Sequence, residues 1–193
     1  WGPKLPVGFS VTSGGVFPSG LAWVDDGTPD GKMFAVGYWG GVHISTSADA
    51  GVTWTVQPKP THDSKCTEAC IVQAADGRLV LMVRRQPVSE AARFEQWHST
   101  DLGGTWTAKG VAVLGGKSTP LMTATPDGAI LLPYRDSLRN DSHSFAVSYN
   151  HGDTWSTTLL NTGWSMYGQS ALRPSGRAVL VASSQTRGAS DDA

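Results

Sequence analysis

Ser47-Ala48-Asp49-Ala50-Gly51-Val52-Thr53-Trp54 recurs as Ser99-Thr100-Asp101-Leu102-Gly103-Gly104-Thr105-Trp106 and as Ser148-Tyr149-Asn150-His151-Gly152-Asp153-Thr154-Trp155. The shared form is S-x-[DN]-x-G-x-T-W, and its tryptophans lie 52 (54 to 106) and 49 (106 to 155) residues apart. Each copy predicts a tight turn. The side-chain oxygen of Asp49, Asp101 or Asn150 accepts from nearby backbone N–H groups, and the glycine takes a positive φ. The threonine opens the next strand, and Trp54, Trp106 and Trp155 are expected to pack between neighbouring sheets. Three copies in near-register make an internal repeat.

A second marker alternates with the first. Asp30-Gly31, Asp76-Gly77, Asp127-Gly128 and Ser175-Gly176 each separate two apolar stretches, at spacings of 46, 51 and 48 residues. Such dipeptides between strands are hairpin signals. Each unit therefore reads strand, D-G turn, strand, loop, strand, Trp-box turn, strand. Four antiparallel strands in a repeat of this length make a blade of an all-β propeller. The expected blades are about 17–58, 66–113, 118–161 and a partial fourth at 166–186, with 187–193 as a linker-like tail. Two completions are compatible with the unfinished fourth unit. The favoured one is a longer propeller, supplied by an additional segment or a second copy. In the other, Gly8-Phe9-Ser10-Val11-Thr12 adds a strand and closes a small ring, removing exposed edges.

Composition narrows the class. The 193 residues carry a net charge of −1 and only 16% charged side chains, which argues against a nucleic-acid or anionic-membrane binder. The 23 glycines, 11 prolines and 8 tryptophans suit many short strands and turns. No apolar run reaches membrane-spanning length, so no membrane insertion is expected. Cys66 and Cys70 are too far apart for a disulfide if their segment is extended, although a turn at Thr67 would bring them together. The five histidines show no metal-ligand spacing, no loop is dense in calcium ligands, and no cofactor motif is present.

The S-x-D-x-G-x-T-W turn resembles the Asp-box, or BNR repeat, of the sialidase (neuraminidase) superfamily, whose members are six-bladed propellers. The resemblance extends to residues between the boxes. In the second unit Glu68 opens a strand, Asp76-Gly77 follows, and Arg84 ends the next strand; the sixteen-residue gap (68 to 84) is the family's spacing. The following blade offers Arg139, with Arg135 as competitor, and the next first strand carries Tyr167, twelve residues after Trp155. The resemblance implies Tyr167 as nucleophile, Glu68 as its base, and Arg84 with Arg139 or Arg135 as a clamp on a sugar carboxylate. It implies a glycan of the sialic-acid kind as ligand and an extracellular, cell-surface or virion-surface location.

Two departures bear on activity. Where the family opens with Arg-Ile-Pro, this chain reads Val16-Phe17-Pro18-Ser19, without the arginine. The family's acid on a long loop has only Asp25, Asp26 and Asp63 as candidates, because Tyr38-Trp39-Gly40-Gly41-Val42 is too short to carry that loop. The expectation is a sialidase-like glycan-recognising propeller that is an exo-sialidase if the missing groups come from upstream. The alternative is a non-catalytic carbohydrate-binding, adhesion or virion surface module. Asp-boxes, being rim turns, decide nothing between these. Trp39 and Trp164 are candidate sugar platforms or core residues.

Overall fold

The computed structural model describes residues 17–86, 90–172 and 178–185, with side-chain detail for 19–86 and 90–160. The predicted strand at 8–12, the Ser175-Gly176 turn and the 187–193 tail lie outside the described residues. The first sheet is β1 (Phe17–Val24), β2 (Lys32–Tyr38), β3 (Val42–Ser47) and β4 (Thr55–Val56), in that order. The second is β5 (Cys66–Gln73), β6 (Leu79–Arg85), β7 (Arg93–Ser99) and β8 (Thr107–Leu114), again in order. The third contains β9 (Thr123–Ala124), β10 (Ile130–Asp136), β11 (Ser142–Ser148), β12 (Ser156–Leu172) and β13 (Ala178–Gln185). Every pair within a sheet is antiparallel, and a 3-10 turn (Ser137–Arg139) joins β10 to β11. These are propeller blades, as the repeat requires.

Where the repeat predicts a blade boundary at 161–166, the backbone runs on as the single 17-residue strand β12. It pairs with β11 up to Trp164 and with β13 from Trp164 onward. Between 161 and 166 there is no proline and a single glycine, Gly163, so nothing local ends the strand.

Alternation explains the core. In β6, Leu79-Val80-Leu81-Met82-Val83 is fully buried throughout, because both faces of the second sheet are covered. Leu79, Leu81 and Val83 meet Phe34, Val36 and Ile44 of the first sheet. Val80 and Met82 meet Ile130, Leu132 and Tyr134 of the third. Each such side chain contributes roughly 1.5–3 kcal/mol by leaving water. The first strands of sheets one and two run side by side in the same direction. The Ser19 hydroxyl donates to the Ala69 carbonyl (2.9 Å) and accepts from its N–H (3.0 Å), while the Asp25 N–H reaches Gln73 Oε1 at 2.8 Å.

The three boxes close the lower end of the sheets as expected. Asp49 accepts from Thr53 N–H (2.8 Å) and Thr53 O–H (2.6 Å), and Asp101 repeats this with Thr105 at 2.9 and 2.7 Å. Asn150 accepts from Thr154 N–H at 2.9 Å, but its amide donates to the Thr154 hydroxyl, reversing one bond. Ser47, Ser99 and Ser148 each accept from the glycine N–H of their own box. Trp106 packs on the core between sheets one and two, and Trp155 on that between sheets two and three, where its indole N–H donates to Gln96 (3.1 Å). Trp54 is partly buried and bonds within its own box, to the Gly51 carbonyl at 2.9 Å.

Cys66 and Cys70 are both buried and free. A bulge between Cys66 and Ala69 puts one extra residue in β5, so the two thiols face opposite sides: Cys66 packs with sheet one and Cys70 with sheet three. The turn that would join them does not form.

Candidate functional site

Antiparallel order sends the starts of first and third strands, and the ends of second and fourth strands, to the upper end, opposite the boxes. Three bulges mark that end. In β1, Pro18 faces Gly37 and Gly20 faces Val36, leaving Ser19 as the extra residue. In β5, Cys66 faces Arg85 and Ala69 faces Val83, so Thr67 and Glu68 together face Arg84. In β12, Ser165 faces Ser184 and Gly168 faces Ala182, so Met166 and Tyr167 together face Ser183. The backbone of Tyr167 thus holds the place in the β12–β13 ladder that Glu68 holds in the β5–β6 ladder; its side chain lies outside the described residues. A bulge turns a side chain out of the ladder's alternation, a common device beside functional sites.

The bulge aims Glu68 at Arg84. Arg84 Nη1 donates to Glu68 Oε2 at 2.6 Å, and both side chains are 15% exposed. The Thr67 hydroxyl adds a 3.2 Å bond to the same carboxylate, and Arg84 Nη2 donates to Gln86. Arg84 Nε is buried without a partner among the described residues. Short charge-assisted bonds of this kind fix both groups.

Arg85, on the opposite face, belongs to a separate ladder. Asp63 (2.8 Å) and Glu95 (3.0 Å) flank Arg85, and Glu95 also receives Arg93 (2.8 Å), which in turn pairs with Glu90. Asp63, a candidate acid by sequence, is therefore engaged by Arg85. Asp25 and Asp26 stand beyond the end of β1, at the lower end with the D-G turns. Asp26 there accepts from the Thr28 hydroxyl at 2.6 Å, which holds its carboxyl below the usual range.

Arg135 is the counterpart of Arg84 in the third sheet: each stands seven residues past its turn glycine (77 to 84, 128 to 135). Its N–H donates to Ser118 Oγ (3.1 Å), and its guanidinium lies 4.0 Å from Asp141, which also takes Lys117 at 3.1 Å. Arg139 points elsewhere. Its Nη1 is 3.7 Å from Asp136 and 3.5 Å from Ser144 Oγ, and it opens on a groove against β8. Asp136 is buried and caps the 3-10 turn through Leu138 N–H. Tyr134 beside it is pushed up to about 12, by burial first and then by the Asp136 charge, so its phenol keeps its proton. Among the described residues the structure pairs Glu68 with Arg84 but brings neither Arg135 nor Arg139 into contact with them. The Lys117–Asp141–Arg135 cluster escapes sequence reasoning; counting from the turn glycine finds Arg135, while nothing in the sequence marks its partners. Among the described residues no group of three acidic, histidine or cysteine side chains is placed to hold a metal.

Residues 42–190 match the BNR repeat-like domain, and the chain belongs to that family. No curated protein is significantly similar in sequence. Among solved structures, a Dyadobacter fermentans protein of unknown function matches at TM-score 0.70 and 16% identity, over 89% of this chain and 58% of that one. A Penicillium chrysogenum alpha-L-arabinanase, solved with arabinobiose, matches at 0.67 and 16%, over 86% and 56%. The intramolecular trans-sialidase of Ruminococcus gnavus matches at 0.64 and 18%, over 84% and 38%. The chain spans a little over half the length of the first two. At such identities the likeness defines the fold alone, a β-propeller built from BNR (Asp-box) repeats.

Proposed function

We propose that this chain recognises an acidic, sialic-acid-like sugar of glycoconjugates at the upper end of its sheets, outside the cell or on a cell or virion surface. The observation that carries the reading is the β5 bulge that turns Glu68 onto Arg84, together with its recurrence at Tyr167. Arg84 supplies a guanidinium fork suited to a carboxylate, and Arg135 and Arg139 supply further positive charge on the next sheet. In a hydrolytic cycle Tyr167 attacks the anomeric carbon while Glu68 takes its proton, the glycosidic C–O bond breaks with the aglycone oxygen leaving protonated by an acid, and water then cleaves the tyrosyl–sugar bond. A tyrosine suits this role because the sugar's own carboxylate repels an anionic nucleophile.

A second reading, recognition without hydrolysis, is favoured by one feature: Asp63, the candidate acid nearest the pair in sequence, is already bound to Arg85. A fluorogenic sialoside assay, with calorimetry against N-acetylneuraminic acid, separates the two. Turnover that Tyr167→Phe abolishes supports the enzyme, and binding without turnover supports the lectin-like module. If the sugar does not bind, or if Arg84→Met leaves its affinity unchanged, the site assignment fails.

A further inference from the structure

We propose that Gln86 is a specificity-determining residue of the Glu68–Arg84 site: its amide oxygen occupies the Arg84 nitrogen open to a ligand carboxylate, and an entering carboxylate displaces it. This rests on the preceding reading. The strand sets the geometry. Gln86 follows β6 directly, and its N–H donates to the Lys65 carbonyl at 3.2 Å, which extends the β5–β6 pairing by one residue. Arg84 and Gln86 stand two residues apart and so point to the same face. Arg85 points to the other face, where Asp63 and Glu95 take it. Neither of those acids therefore competes for Arg84.

Of the three guanidinium nitrogens of Arg84, two are withdrawn from a ligand. Nε is buried. Nη1 donates to Glu68 at 2.6 Å. The third, Nη2, donates to Gln86 Oε1. A ligand carboxylate that reaches this guanidinium therefore meets it at Nη2, where Gln86 sits.

The two acceptors hold Arg84 unequally. Glu68 is a carboxylate, its side chain is only 15% exposed, and the Thr67 hydroxyl also donates to it (3.2 Å). Pulling Arg84 away would leave that half-buried carboxylate with one hydroxyl, which is costly. Gln86 is neutral and exposed, and among the described residues its side chain makes this bond alone. Once released, its amide returns to water at little cost. A carboxylate replaces it with a bond ionised on both sides, the stronger kind. A neutral sugar hydroxyl would exchange one neutral acceptor for another and gain nothing. The glutamine thus discriminates by charge. A glutamate in its place would set Arg84 between two carboxylates and close the site to anions.

Calorimetry with N-acetylneuraminic acid and its methyl ester, which lacks the charge, tests the assignment. Gln86→Ala should bind the acid about fivefold tighter, because one ordinary hydrogen bond no longer has to be displaced. Gln86→Glu should bind the acid about tenfold weaker, through repulsion between the new carboxylate and that of the sugar. The ester should respond to neither change, a pattern that a merely structural role for Gln86 does not produce. If Gln86→Ala binds the acid no tighter, or if the ester shifts in step with the acid, the role of Gln86 is overturned while the reading of the site stands. If neither the unmodified chain nor Gln86→Ala binds the acid, both fall.

Discussion

A double-mutant cycle on Glu68 and Arg84 asks whether the bulged carboxylate and its guanidinium form a pre-set unit. Their 2.6 Å contact lies between two regimes, since both side chains are 15% exposed. Exposed pairs are worth ~0.2–1 kcal/mol, whereas breaking a fully buried pair costs about 3–5 kcal/mol. Glu68→Gln leaves Arg84 with only Gln86, and Arg84→Met leaves Glu68 with only the Thr67 hydroxyl. Each single change should therefore cost about 2 kcal/mol, the strength of a charge-assisted hydrogen bond. The double variant should cost less than the sum by about 1.5 kcal/mol, well beyond the ~0.5 kcal/mol scatter of independent sites. Urea unfolding followed by tryptophan fluorescence measures all four corners. If the costs simply add, the pair is open in solution and the pre-set unit does not exist. Repeating the cycle with saturating N-acetylneuraminic acid carries the test to function: a ligand carboxylate that takes over Arg84 should reduce the coupling.

Three further outcomes are expected. Gly77→Ala, at φ +86° with nothing within 4 Å of a new Cβ, should cost about 1–2 kcal/mol in urea unfolding from backbone strain alone. Gly103→Ala, whose Cβ would lie 2.8 Å from the buried ring of Phe34, should cost a further ~1–3 kcal/mol; equal costs would show that the box does not press on the first sheet. Bonds from Thr53 and Thr105 lower Asp49 and Asp101 to about 2. Their unfolded value is ~3.9, so the stability they contribute is complete above that pH and is lost as pH falls toward their folded value. Thermal melts across this window should show the loss, and Asp101→Asn should weaken that pH dependence. Finally, burial pushes the Cys66 and Cys70 thiols up to about 11, so a thiol reagent at pH 8 should modify neither in the folded chain and both in urea.

The features legible in the sequence are those whose chemistry closes within a few residues. A box contains its own donors and acceptors, so Asp49, Asp101 and Asn150 could be assigned as turn locks with no knowledge of their surroundings. The same holds for the D-G turns, where Gly31, Gly77 and Gly128 all adopt positive φ. Illegible features depend on partners brought by the fold. Asp63 meets Arg85, and Arg78 reaches Asp153 of the next sheet, only because sheet register places them together. The unbroken β12 is of this kind, since its second half is held by β13. The bulge in β5 is the instructive case. Spacing marked Glu68 and Arg84 as a pair, but an unbulged strand would have set Cys66 and Cys70 on the same face, and the extra residue reverses that.

The same bulge explains how a strand can turn a charged side chain out of its alternation without weakening its ladder. On either side of it, Cys66 with Arg85 and Ala69 with Val83 keep the strands paired, and buried side chains resume at once on both faces. Thr67 and Glu68 are half-buried and belong to neither core cluster. In the first sheet the extra residue is Ser19, whose hydroxyl is spent on bonding β5; in the second it is Glu68, which faces Arg84; in the β12–β13 ladder the extra pair includes Tyr167. The same kind of bulge therefore recurs in three ladders, and the side chain placed there decides whether it joins two sheets, as Ser19 does, or pairs within its own, as Glu68 does. Because the boxes secure the opposite end through bonds of their own, losing the Glu68–Arg84 contact should cost about 2 kcal/mol and leave the three box turns intact.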